Sequence, residues 1–97
     1  MIYHVTTRQD WNKALEAGQY EAASLQTEGF IHTSKKEQVQ GVLDRYYKNV
    51  SNLLLLHIDE SKLTAQLIEE LAPSVNEVFP HIYGPINIES VIKTEAL

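Results

Sequence analysis

Residues 53–58 read Leu-Leu-Leu-Leu-His-Ile, with Asp59 after them. A run this short is of strand length and too short to hold a helix alone. Successive side chains of a strand point to opposite faces, so four leucines in a row put apolar groups on both. A strand that is apolar on two faces is covered on two faces, which places it in the middle of a sheet. His57 inside that run is read as a structural residue.

Working outward, Met1–Thr7 (MIYHVTT) reads as a strand with Tyr3 and Val5 on one face and Ile2, His4 and Thr6 on the other. Thr7 and Asp10 have the spacing of a capping box. Trp11, Ala14 and Leu15 follow at helical spacing, and Gly18 sits where a helix-closing glycine belongs. Residues 19–28 read as a loop anchored by Tyr20 and Leu25, and 29–33 as a short strand. Ser34 and Glu37 predict a helix start just after Ser34, followed by an apolar stripe of Val39, Val42, Leu43 and Tyr46. Gly41 inside that helix costs about 1 kcal/mol against alanine, so either a close approach needs it or it is tolerated.

Beyond the leucine run, 59–63 reads as a turn or a single helical turn, and 64–71 fits either helix or strand. Residues 72–78 look like a loop. Phe79–Pro85 (FPHIYGP) is a tightly specified loop bracketed by prolines, and 86–94 is a last strand region. The order β-α-β-α-β-β-β contains no repeated parallel unit. It predicts an α+β fold: a small mixed, mostly antiparallel sheet with two main helices, in one domain spanning residues 1–97.

Bulk composition narrows the functional classes. The chain of 97 residues is 43% hydrophobic and 22% charged, enough apolar material for one core. It has no cysteine and no apolar run near the ~20 residues of a membrane span, so a cytoplasmic, non-membrane protein is expected. The net charge is −5 and the eight lysines and arginines are scattered, which argues against nucleic acid as a partner. A small-molecule ligand is expected instead.

Histidines carry the chemistry. His4 lies on the first strand, His32 precedes the predicted helix, and His81 sits between two prolines. Imidazole can donate, accept or ligate near neutral pH. His32, Thr33 and Ser34 at a helix start could also grip an anion. His32 and His81 are the candidate acid–base pair, and Glu69 the carboxylate that orients or assists them, with neighbouring Glu70 distinguished only by strand register. His4, Thr33, Ser34 and Tyr83 complete the set as ligand-binding candidates. The histidines have no local metal-ligand spacing, so no metal residues are assigned, and no serine-nucleophile elbow is present.

The segments MIYHVTT, EGFIHTS, LLLLHID and FPHIYGPINIESV, in this order, resemble the bacterial family called domain of unknown function 952. The resemblance covers nearly the whole chain and implies a fold similar to the ADP-ribosyltransferases, including the tRNA 2′-phosphotransferases. It would place His4 at a dinucleotide ribose, put GFIHTS at the second motif strand, and admit a nicotinamide-dinucleotide-like cofactor. Glu69 matches a glutamate recurrent in the smaller family. The late-strand glutamate of the transferases has no counterpart around His81–Gly84. Three functions remain open: binding or processing of a nucleotide-like or other anionic small molecule in a histidine-lined cleft, a non-catalytic binding module on a transferase-like fold, and a metal-dependent hydrolase.

Overall fold

A computed structural model describes residues 1–97. The chain runs through β1 (Ile2–Thr7), α1 (Arg8–Ala17), β2 (Gln19–Tyr20), α2 (Ala23–Thr27), β3 (Ile31–His32), α3 (Val39–Tyr46), β4 (Leu53–Ile58), β5 (Gln66–Ala72), β6 (Glu77–Tyr83), β7 (Ile86–Asn87) and β8 (Val91–Ala96). Single 3-10 turns occur at Lys36–Gln38, Glu60–Lys62 and Ile88–Ser90. The α+β class holds, with two correction points. The strands form three small sheets, ordered β1-β4-β8, β2-β7 and β3-β6-β5, and every pairing is antiparallel, so the expected mixed character is absent.

The leucine run is the central strand of its sheet. Leu54, Leu56 and Ile58 join Ile2, Trp11, Ile31, Ile82 and Ile86 in the main core. Leu53 and Leu55 turn the other way, onto Val5, with Val39, Val42 and Leu43 of α3 above them. The fourth residue of the expected stripe is corrected: Tyr47 packs there, and Tyr46 is exposed. His57 stands edge-on to Tyr3 and bonds Glu95 across the β4–β8 pair, Nε2 to Oε1 at 2.9 Å. That is a structural role.

Local signals set α1. The Thr7 hydroxyl accepts from the Asp10 N–H at 3.0 Å, and Gly18 ends the helix with φ 86° and its N–H on the Ala14 carbonyl. The start of α3 is a correction. Ser34 is not the cap, because its backbone is paired with Tyr3 in both directions at 2.8 Å. The chain turns one residue later, where the Gln38 side chain accepts from the Lys35 N–H at 3.0 Å. A long-range strand bond outcompetes a local capping motif here.

FPHIYGP is also corrected. It is not a loop; its first five residues complete β6, the middle strand of its sheet. Pro80 is tolerated there because the N and O of one strand residue face the same neighbour. Its carbonyl accepts from Thr33 just past the end of β3, so the missing N–H falls on that side and the pairing with β5 loses nothing. Residues 66–72 resolve as strand, and 73–76 form the turn joining β5 to β6.

Leu56→Ala, at a fully buried position of the central strand, is expected to lower the unfolding free energy by about 2–5 kcal/mol. Thr7→Ala should cost about 0.5–2 kcal/mol through the lost cap. Urea titrations of both variants measure this. A loss below 1 kcal/mol for Leu56→Ala would contradict the central position of β4.

Candidate functional site

The register of the β3-β6-β5 sheet decides which side chains meet. His32 lies opposite His81, His81 opposite Ile68, and Phe79 opposite Glu70. These residues therefore share one face. Ile31, Ile82 and Leu67 occupy the other and pack into the core. The polar face looks into a cleft of about 650 Å³. Its walls are Tyr3 and Val5 of β1, the 28–34 segment, Val42, Arg45, Tyr46 and Tyr47 of the α3 region, the turn after β5, and Phe79 and His81 of β6. The size is that of small-molecule sites.

His81 is the most constrained of these groups. Its ring stacks on Phe30 at 4.1 Å between centroids, with His32 edge-on at 5.3 Å. Its Nδ1 lies 2.7 Å from the Glu70 carboxylate. A carboxylate oxygen accepts, so Nδ1 carries the proton and a neutral ring keeps its lone pair on Nε2. Nε2 has no protein partner and is not sealed from solvent. The same Glu70 oxygen accepts from the Tyr83 hydroxyl at 2.6 Å. These two donors, Tyr83 first and His81 second, hold the Glu70 carboxyl below the usual carboxylate range, and the shared bond pushes the Tyr83 phenol up.

Glu70, not Glu69, is thus the carboxylate at the histidines. Glu69 lies opposite Pro80 and pairs with Lys35 at 3.1 Å on the exposed surface. Counting back from the 73–76 turn, which sets Ala72 opposite Glu77, brings Ile68 opposite His81 and Glu70 onto its face. That count was the signal available in the sequence. Arg45 and Phe79 were also not among the expected site residues.

His32 is half exposed and bonds Glu28 one helical turn earlier in sequence, Nε2 to Oε2 at 3.0 Å. Thr33 is buried, and its hydroxyl donates to the Pro80 carbonyl at 2.6 Å, clamping β3 to β6. The expected anion grip at 32–34 is corrected by the backbone. The N–H groups of Thr33, Ser34 and Lys35 are taken by Pro80, Tyr3 and the Gln38 side chain. Tyr83 reaches the site only through Glu70.

His4 borders the cleft, but both ring nitrogens turn inward. Nδ1 meets the His32 carbonyl, which can only accept, so Nδ1 is the protonated nitrogen. Burial drives the imidazole pKa down to about 4, against the raising effect of that bond. The ring is therefore neutral and Nε2 must accept. It lies 2.9 Å from the Tyr20 hydroxyl, and Tyr20 lies 2.9 Å from the Thr6 hydroxyl. One proton order satisfies all three: Tyr20 donates to His4 and Thr6 donates to Tyr20. Burial also raises the Tyr20 phenol to about 12. His4 has no nitrogen left for a ligand, which corrects its expected binding role. No three histidine, cysteine or acidic side chains are grouped closely enough to hold a metal ion.

Fold and site together describe an α+β protein of antiparallel sheets, with a cleft holding a carboxylate-tethered histidine. The family model for the protein of unknown function family DUF952 matches residues 5–94, and the chain belongs to that family. Among solved structures it is similar to protein CC0527 from Caulobacter crescentus. The crystal structure of that protein shares 31% identity and a TM-score of 0.87, over 96% of this chain and 82% of that one. The solution structure of the same protein gives 31% and 0.84, over 99% and 83%. None of the curated proteins matches the chain. No helix is long and apolar enough to cross a membrane.

A depressed histidine pKa makes stability depend on pH in one direction. Between pH 6.5 and about 4 the unfolded chain binds a proton at His4 that the folded chain refuses. This contribution is fully present above pH 6.5 and is lost as pH falls toward 4, by roughly 3 kcal/mol in all. Urea unfolding between pH 7.5 and 4 should show this slope, and His4→Gln should flatten it. An equally steep slope in His4→Gln would show that other groups cause it.

Proposed function

We propose that the cleft binds a small anionic organic molecule and that His81 acts on it as a general acid–base group. The observation that carries this reading is the asymmetry of the His81 ring, with Nδ1 fixed by Glu70 at 2.7 Å and Nε2 left without a protein partner at the cleft. In this arrangement Nε2 takes a proton from a bound ligand while the Glu70 carboxylate, across the ring, stabilises the imidazolium that forms. Such a positioned base contributes on the order of 10²–10⁴ in rate. Phe30 stacked on the ring and Tyr83 on Glu70 hold the geometry. His32, half exposed beside His81, is the second imidazole available to the ligand. Dinucleotide transfer is not part of this reading: β6 carries no glutamate at His81–Tyr83, and His4 is consumed by the fold.

A second reading, a non-catalytic binding module, is favoured by one fact. His4, His32 and His81 each already bond a protein partner.

A thermal-shift screen with mononucleotides, dinucleotides and simple phosphate esters, run on wild type and His81→Ala, separates the two. A ligand at ~100 times its Kd stabilises the folded state by about 2.7 kcal/mol. The acid–base reading expects a shift in wild type that is lost in His81→Ala, each shift measured from that protein's own midpoint, because truncating a buried ring stacked on Phe30 lowers the variant's. Equal shifts in both proteins would leave His81 outside the site and support the binding module. A large fall in midpoint with no shift from any compound would support a structural role for His81.

A further inference from the structure

The charge inventory of the cleft is lopsided. Arg45 is its only arginine or lysine, and no carboxylate lies within ion-pair distance of it. Lys35, the nearest lysine in sequence to the GFIHTS segment, is paired with Glu69. Glu28 brings a negative charge to the same walls. One fixed cation facing one carboxylate cannot neutralise the several charges of a di- or triphosphate. Ten of the nineteen lining residues are hydrophobic, with Tyr3, Phe30, Tyr47 and Phe79 among them, and the uncharged polar wall is Thr33, Ser34, Ser74 and the histidines.

Arg45 is also seated. Its guanidinium lies across Gly41, where an added Cβ would stand 3.1 Å from Nη1, and over the Tyr46 ring at 5.7 Å. Gly41, a poor helix residue, leaves that space open, and an added Cβ would ask the exposed arginine to shift by only a few tenths of an ångström. A planar guanidinium held this way offers a two-pronged grip to a single carboxylate.

We infer that the ligand of this cleft is a flat aromatic monoanion, its single acid group on Arg45 and its ring among the aromatic walls, and not a nucleoside polyphosphate. The inference rests on the reading of the cleft as a small-molecule site and names the class of molecule it takes. Recognition divides between Arg45, which selects the charge, and the aromatic walls, which select the body. His81, in the same lining, is the group that acts.

Calorimetric titration with 1-naphthoate, its neutral amide 1-naphthamide, ADP and pyrophosphate tests it. Wild type is expected to bind the acid at least tenfold more tightly than the amide, and ADP and pyrophosphate more weakly than either. Arg45→Gln should bring the acid down to the amide's affinity with an unchanged unfolding midpoint, since the side chain is exposed. Equal affinity for acid and amide, or no binding of either at millimolar concentration, overturns the inference. Tighter binding of ADP or pyrophosphate, lost in Arg45→Gln, overturns it too. In those cases a His81-dependent shift in the nucleotide screen would leave the acid–base reading standing. Silence in both experiments removes both.

Discussion

The joint between β1 and residues 32–34 governs the geometry of everything else. Tyr3 and Ser34 exchange two backbone hydrogen bonds, and the His4 imidazole donates to the His32 carbonyl beside them. These contacts tie the β1-β4-β8 sheet to the β3-β6-β5 sheet. Between the two, isoleucine and leucine side chains from both sheets close the main core. On the opposite side the joint opens the cleft, because β1 and the histidine face of β6 both contribute to its wall. A buried histidine bond is strong in this setting and costly to leave unmade. Burial keeps the His4 ring neutral at this joint, with its Nδ1–H on the His32 carbonyl.

Three histidines with the same intrinsic chemistry therefore do three different things. Burial and two fixed partners make His4 a structural element. Exposure leaves His32 as a solvated partner of Glu28, in a pair of the kind that contributes little to stability. His81 lies between these extremes, buried and stacked on Phe30 yet with one ring nitrogen left without a protein partner. Environment, not residue type, separates them, and Glu70 is the group that gives His81 its direction.

How much of this was legible in the sequence follows the range of the interactions. The α1 helix was readable because Thr7 and Gly18 act within one turn of where they stand. The two-faced leucine run was readable because its pattern needs no partner to interpret it. The cap at Ser34 misled because a strand bond from Tyr3, far away in sequence, claims that backbone. Pro80 argued for a loop, since a proline inside a central strand normally removes a ladder bond. Only knowing that β3 stops at His32 shows why it does not. Glu69 and Glu70 differ by one position, and a strand register is needed to choose between them. The segments GFIHTS and FPHIYGP were correctly read as neighbours, but which of their atoms remain free was not readable from either alone.

The placement of β4 between β1 and β8 has a kinetic consequence. Its partners come from opposite ends of the described chain: Ile2 pairs with Ile58, and Val91 with the same residue from the other side. No short hairpin can form this sheet, unlike β5 and β6, which need only the 73–76 turn. Closing long loops before any contact rewards them slows folding. The β5–β6 hairpin is the natural early unit, and the β1-β4-β8 sheet is completed only after residues 91–96 have been synthesised. Until then β4 keeps one edge of unpaired backbone N–H and C=O groups, an open template for pairing with another chain.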